Sequence, residues 1–438
     1  MNLNISQQRT KNYFLQVKSA LIYKVLGILV SFIAIPLMIK YLGNEQYGIW
    51  STILAIFSWI VLFDIGIGNG VRNKLAESLA KENKEEAQKY VSTGYISIGI
   101  LSISLLVLFN IVAYFINWQI VFNTIIVTNS ELYLAVSLAG SFLIVNFWLS
   151  LINQISNGLQ KSQIVVFNQF LSNLLSLFFV FILYKFTEAS LIKLILFYGF
   201  SLLISNFLVT YWIFKNYEFL IPKVKYFSKE YIKSITSLGF KFFIIQIAVV
   251  VIFTTDKIMI TQLFGPEYVT NYDVVFKLFS IITIGHSLIL APLWSACSDA
   301  YHRGDIEWIK NSLFRQLQFF ILIILGTIVL TFIAKYIIVF WIGKDFIIDD
   351  SLIYAMAVFV IVSTWNNIFA YIINSTNNLN VQITTSLIAM FINIPLSIIL
   401  VKYYNFGVEG VVYGTIYSLL FFALFGSIQT FKLILNRI

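Results

Sequence analysis

The sequence predicts an all-α polytopic membrane protein with twelve transmembrane helices in two six-helix lobes. Composition, the spacing of apolar runs and an internal repeat predict it. Of 438 residues, 59% are hydrophobic and 11% charged, and the mean hydropathy is +0.87. Soluble domains are about 45–50% apolar and about 25% charged, so a soluble fold would have more apolar surface than its interior could hold. A span uses about 20 residues, so twelve take about 240 and leave about 200 for loops. A soluble enzyme, a nucleic-acid reader and a disulfide-stapled secreted domain are excluded. Cys297 is the only cysteine, so neither an intramolecular disulfide nor a cysteine metal cluster can form. The N-terminus, MNLNISQQRTKNYF, lacks a short apolar core followed by a small-residue cleavage site. No removed signal peptide is expected.

Apolar runs separated by polar clusters place the helices at about 19–40, 47–69, 91–115, 132–154, 165–185, 191–214, 238–263, 271–296, 313–335, 351–373, 383–402 and 410–431. Backbone groups in lipid must be satisfied internally, so runs of this length read as helices despite many β-branched residues. The least defined boundary is the Asn-rich stretch after helix ten. The formal charge of +9 reads as topology rather than nucleic-acid binding. Nineteen of the 29 Lys and Arg residues fall on the termini and the even-numbered turns. The opposite face carries Lys40, Lys185, Lys193, Lys335, Lys344 and Lys402. Both termini are therefore expected in the cytoplasm.

The longest basic connection, 215–237, divides the chain into an N-terminal lobe (1–214) and a C-terminal lobe (238–438). At an offset of 222 residues, Gly43 and Glu45 fall on Gly265 and Glu267. Glu77, Lys81, Asn83 and Glu85 fall on Asp299, Arg303, Asp305 and Glu307. At an offset of 220, Asn157-Gly-Leu-Gln160 falls on Asn377-Asn-Leu-Asn380. Chance likeness between hydrophobic hairpins is the alternative, but the spacing is shared across three consecutive loops. Two halves of six helices share one orientation, and transporters built this way hold substrate between the halves and rock to alternate access.

Helix one followed by Lys40-Tyr-Leu-Gly-Asn-Glu-Gln-Tyr-Gly-Ile-Trp50 resembles the start of bacterial polysaccharide (O-antigen type) flippases. The likeness continues through Asp64-Ile-Gly-Ile-Gly68, Asp256-Lys-Ile-Met-Ile260 and Phe264-Gly-Pro-Glu267. These flippases belong to the multidrug/oligosaccharidyl-lipid/polysaccharide exporter superfamily, whose members have two six-helix lobes around a central cavity. The resemblance implies alternating-access transfer of undecaprenyl-pyrophosphate-linked oligosaccharide from the cytoplasmic to the periplasmic leaflet of the bacterial inner membrane. It leaves the sugar unnamed. It also implies contact with polysaccharide polymerase machinery and coupling to protons or sodium. No cofactor, resident metal or nucleic-acid partner is expected.

Charged groups inside spans are costly and usually face a cavity or a partner. Here they concentrate in helices one, two, seven and eight. Lys24 and Lys241 lie near the cytoplasmic ends of helices one and seven, where they could meet pyrophosphate or snorkel to the interface. Arg72 at the mouth of helix two is either a phosphate contact or a topogenic charge. Asp256, Lys257, Asp273 and Lys277 lie at similar depth on the hairpin of helices seven and eight. They form either a structural network or a phosphate-binding and ion-coupling group. Asp64 and His286 correspond at the 222 offset and are coupling candidates, since imidazole titrates near neutrality. The bland readings are a helix-capping Asp and a His bonded to a carbonyl.

Sugars need amides for hydroxyls and aromatic faces for C–H surfaces. Helices four and ten offer both, in Asn146, Trp148, Asn153 and Gln154, then Trp365, Asn366, Asn367, Tyr371 and Asn374. Interhelical glue is the alternative for each. Pro36, Pro292 and Pro395 are candidate hinges or static kinks. The glycines 66, 68 and 70 do not form a phosphate loop, because the Lys-Ser/Thr ending is missing. No nucleophile–base pair or HExxH motif supports an enzyme.

The main rival is a cation-coupled multidrug antiporter of the same superfamily, which would favour a net-acidic cavity. Four intramembrane Lys against three Asp favour an anionic cargo. A peptidoglycan-precursor flippase would bring two further helices that the sequence lacks. A glycan polymerase would have one large periplasmic loop rich in Arg or His, and loops 116–131 and 336–350 are short and nearly free of both.

Overall fold

The computed structural model describes residues 2–64, 66–236, 240–344, 346–376 and 378–435, with side chains except at 2–17, 61, 240–244, 291, 292, 295, 302 and 435. The described residues are helical with short connections and no strand. They pack as two compact units, Met1–Phe243 and Ile244–Ile438.

The first unit contains α1 (Asn2–Phe57), α2 (Ile67–Ala80), α3 (Lys84–Phe115), α4 (Trp118–Phe122), α5 (Asn129–Leu149), α6 (Leu151–Gly158), α7 (Ser162–Phe186), α8 (Leu191–Asn216) and α9 (Lys229–Thr236). α1 packs along α7, α5 along α8, and α7 against α8, while α2 and α3 pair beside α6. The second contains most of α10 (Phe240–Phe264), then α11 (Pro266–Arg303), α12 (Ile306–Trp341), α13 (Asp350–Thr376), α14 (Asn380–Lys402) and α15 (Val408–Leu435). α15 packs against α13 and α14, and α11 and α12 pack against α13.

Eleven described segments are long and apolar enough to cross a membrane. One of them, Lys18–Asp64, is 47 residues long. At about 1.5 Å per residue it would reach about 70 Å, more than twice a hydrocarbon core of about 30 Å. It bends at Gly43, whose φ of 77° and ψ of 171° no helix accommodates, so it makes two crossings. Counted as two, it brings the described candidates to about twelve. Gly43 has no neighbouring atom within 4 Å of its missing Cβ, so its φ, not crowding, calls for glycine. Its repeat partner Gly265 likewise has a φ of 110° and separates α10 from α11, with Pro266 opening the new helix.

The repeat recurs in local geometry on the cytoplasmic side expected from the charge pattern. Lys81 pairs with Glu77 at 2.7 Å, and Arg303 pairs with Asp299 at 3.0 Å. Glu82 and Gly304, again 222 apart, both have positive φ. Asn83 then caps α3 by accepting from the Glu86 amide, and Asp305 caps α12 by accepting from the Trp308 amide, each at 3.0 Å. Lys74 and then Lys81 hydrogen-bond Glu77 and hold its carboxyl down at about 2.

Three elements depart from the expected limits. Helix two is not one helix: α1 runs to Phe57, a 3-10 segment covers Ser58–Asp64, and α2 starts afresh at Ile67. Helix four breaks at Ser150, where α5 ends and α6 begins. The inter-lobe connection carries α9 and, over 215–236, is docked on α3. Gln88 donates to the Ile221 carbonyl, the Lys223 amide donates to Ser92, and Tyr90 meets Tyr231 edge to face. α9 then presses Ile235 against α2, where a Cβ on Gly70 would come within 2.1 Å of the Ile235 carbonyl oxygen.

Candidate functional site

The charged residues of the first unit lie on separate features. Asp64 ends the 3-10 segment, and its Oδ1 accepts the Gly68 amide at 2.8 Å. This is the arrangement of a helix-capping carboxylate at the start of α2, where the macrodipole favours negative charge. Gln154 Cγ lies 3.1 Å from where a Gly68 Cβ would be, so α6 closes over this turn. Lys24 and Arg72 are exposed on α1 and α2, and neither makes an ion pair among the described residues.

Asn146 and Asn153 are joined by two residues the sequence did not single out. Asn206 donates to Asn146 at 2.7 Å, and Asn168 donates to Asn206 at 2.8 Å and to Asn153 at 2.9 Å. The four amides link α5, α8, α7 and α6 through the interior of the unit. Trp148 donates to the Tyr95 carbonyl at 3.0 Å and lies against Gly99. Only partners on other helices could have revealed this; no spacing within one helix encodes it.

In the second unit the quartet of charges divides into two groups. Lys257 pairs with Asp273 at 2.6 Å, joining α10 to α11. Lys277 lies one turn beyond Asp273 and is half-buried, so this trio carries a formal net charge of +1. Asp256 belongs to a different environment and is only 2% exposed. Its Oδ1 accepts from Thr415 of α15 at 2.8 Å, and its Oδ2 accepts from Tyr272 of α11 at 3.3 Å. Asn393 of α14 donates to Thr415 at 2.9 Å, and its own Oδ1 accepts from Thr255 at 3.3 Å. Among the described residues no basic side chain lies within ion-pair distance of Asp256. A polar residue in mid-span was the one available signal for Asn393, and Thr415 gave none.

His286 meets Gln316 at 3.4 Å through Nε2 and stacks on Phe319, while its buried Nδ1 has no partner among the described atoms. Trp365 donates to the Ala423 carbonyl and Asn366 to the Leu419 carbonyl, both on α15. Tyr371 meets Trp294 edge to face at 5.6 Å. The buried Asn374 Oδ1 has no partner among the described atoms. Asn366 and Asn367 line a cavity of about 310 Å³ inside this unit. The side chains of Lys241 and Pro292 lie outside the described residues. No group of three His, Cys, Asp or Glu able to hold a metal occurs among the described residues.

The solved structures that this fold is similar to are transporters. An inward-facing multidrug-resistance MATE transporter of the MOP superfamily superposes with a TM-score of 0.79 at 14% identity, over 96% of this chain and 98% of that one. A MOP-superfamily transporter from Pyrococcus furiosus, described as having a binding pocket of reversed polarity, gives 0.68 at 15% identity over 96% of each chain. In sequence, the chain is 22% identical over 94% of both lengths to a Yersinia pseudotuberculosis protein provisionally named for O-antigen export. It is 21% identical over 96% of both lengths to a Salmonella typhimurium protein provisionally named an O-antigen transporter. The MatE family matches residues 242–399. The family described as polysaccharide biosynthesis protein matches residues 16–295, more than half the chain. With its many membrane-spanning helices, this chain belongs to the polysaccharide biosynthesis protein family.

Proposed function

We propose that the protein is a flippase. It would move undecaprenyl-pyrophosphate-linked oligosaccharide repeat units from the cytoplasmic to the periplasmic leaflet of the inner membrane by alternating access. The family match over residues 16–295 carries this reading, and relatives named for O-antigen export over nearly their whole length agree with it. The polyprenyl tail stays in lipid while sugar and pyrophosphate cross through a hydrated path. Lys257 and Lys277 around one Asp273 supply the positive excess that an anionic head group needs. Outward movement of an anion across an inside-negative membrane gains about 2.3 kcal/mol per charge per 100 mV. Coupling to a proton or sodium ion is part of the proposal, with Asp64, Asp256, Asp273 and His286 as its candidates.

Multidrug antiport is the second reading, favoured by the MatE match and the superposition on a multidrug-resistance transporter. A strain lacking the gene separates the two. Loss of surface polysaccharide, with lipid-linked repeats stranded on the cytoplasmic leaflet and restored by the intact gene, is the expected result. Intact polymer with altered sensitivity to cationic drugs would replace the flippase by the antiporter.

A further inference from the structure

The chain that follows α8 runs at the depth where a span meets the membrane surface. Tyr211 and Trp212, in the last two turns of α8, are exposed, and such residues mark the interface. From there the chain crosses to α3. The Lys223 amide donates to Ser92 at 3.1 Å, and the Ser228 amide donates to Thr93 at 3.3 Å. Ser92 and Thr93 open the apolar run 91–115 of that helix.

The same two contacts place the segment on the lipid-facing side of α3. Ile100, Ile103, Val107 and Ile111 are all more than half exposed and form one stripe along the helix. At 3.6 residues per turn, Thr93 lies within about 20° of Ile100, and Ser92 within about 20° of Ile103. Residues 223–228 therefore cover the foot of that stripe, about 10 Å short of Ile100.

This segment leaves apolar and basic side chains uncovered together. Val224 is 83% exposed and Ile221 40%. Val224 opens a 3-10 turn between Lys223 and Lys225. Residues 221–236 hold Lys223, Lys225, Lys229 and Lys233 against Glu230 alone. All four lysines are exposed, and none forms an ion pair among the described residues. Lys89 of α3 is already paired with Glu85 at 2.9 Å. The Lys225 ammonium lies 4.8 Å from the Tyr226 ring, which keeps it at the surface.

We propose that residues 221–229 form a binding site for the anionic head groups of glycerophospholipids in the cytoplasmic leaflet. Lys223, Lys225 and Lys229 meet the phosphates, and Val224 enters the boundary between head groups and acyl chains. A bilayer surface answers both features, because apolar burial and attraction to anionic lipid add. A soluble acidic partner would answer the lysines, but not a valine set beside the lipid-facing stripe. The hydrogen bonds to α3 hold the segment in shape, so lipid charge governs occupancy. The site lies wholly in the first unit and is independent of the cargo.

The test uses the purified full-length protein in nanodiscs of phosphatidylcholine, alone or mixed with phosphatidylglycerol. A nitroxide is placed at Val224→Cys, and for reference at Glu82→Cys in the turn before α3. Access of an aqueous nickel chelate is expected to be several-fold lower at the first position, and lower still with phosphatidylglycerol. Native mass spectrometry then counts the lipids retained from the mixed nanodiscs. Lys223→Gln, Lys225→Gln and Lys229→Gln together are expected to cut retained phosphatidylglycerol several-fold and leave phosphatidylcholine unchanged. Lys18→Gln, Lys310→Gln and Lys432→Gln remove the same charge elsewhere and are expected to keep it. Equal loss in both triple variants, no loss in the first, or full nickel access at Val224→Cys would overturn the proposal. Full access would leave a soluble acidic partner as the occupant.

Discussion

Lys257 and Asp273 meet at 2.6 Å with side-chain exposures of 24% and 10%, and this shielding sets the energetic cost of separating them. A shielded pair gains little over an apolar pair of the same size, whereas a stranded partner is expensive. Lys257→Met is therefore expected to cost about 3–5 kcal/mol, read as a lower thermal midpoint in detergent. Adding Asp273→Leu is expected to recover most of that loss. Cys297 gives a second expectation. Burial pushes its thiol up to about 11, and the residue is 3% exposed. Thiolate is the reactive form, so the folded protein should resist maleimide at neutral pH and react once unfolded, as followed by mass spectrometry.

Among the elements, the connection over 215–236 owes its fixed place to α3. Gln88, Tyr90, Ser92 and Thr93 of α3 hold it through hydrogen bonds, and α9 uses Gly70 as its seat. Gly70→Ala must push the Ile235 backbone away. A cost of about 1–3 kcal/mol is expected for such overpacking, together with faster hydrogen exchange in α9. Gly66, Gly68 and Gly70 form a run that could be mistaken for a ligand loop. In the structure Gly66 makes the left-handed turn that starts α2, and Gly70 gives α9 room. The matched elements at the 222 offset extend the point. Two i,i+4 ion pairs and two side-chain caps recur at equivalent positions, so the loops are alike in geometry as well as in composition.

For the whole molecule, charge asymmetry predicts the orientation. The nineteen basic residues on the termini and even-numbered turns, against six opposite, predict cytoplasmic termini by the positive-inside rule. A C-terminal green fluorescent protein fusion is expected to fluoresce, and a C-terminal alkaline phosphatase fusion is expected to be inactive. The reverse pattern would invert every sidedness statement above.

Much of the architecture was legible because a bilayer leaves few solutions. Apolar runs of span length become helices, and polar runs become connections. The bend at Gly43 and the turn at Gly265 were already marked by glycine and by the repeat. Residue types also located the charges on helices one, two, seven and eight. Which groups pair was not legible. Asp256 and Lys257 are adjacent in sequence, yet one faces Thr415 and Tyr272 while the other faces Asp273. Neighbours on a helix point about 100° apart, and their partners arrive from helices far along the chain. The amides Asn146 and Asn153 likewise could not reveal that Asn168 and Asn206 would join them. The sequence by itself determined the membrane, the approximate number of crossings and the chemistry available along each span, because these depend on composition and local periodicity. Only the tertiary structure decided the Asp256 network, the Lys257–Asp273 pair and the cavity beside them, because each requires side chains from several helices to converge.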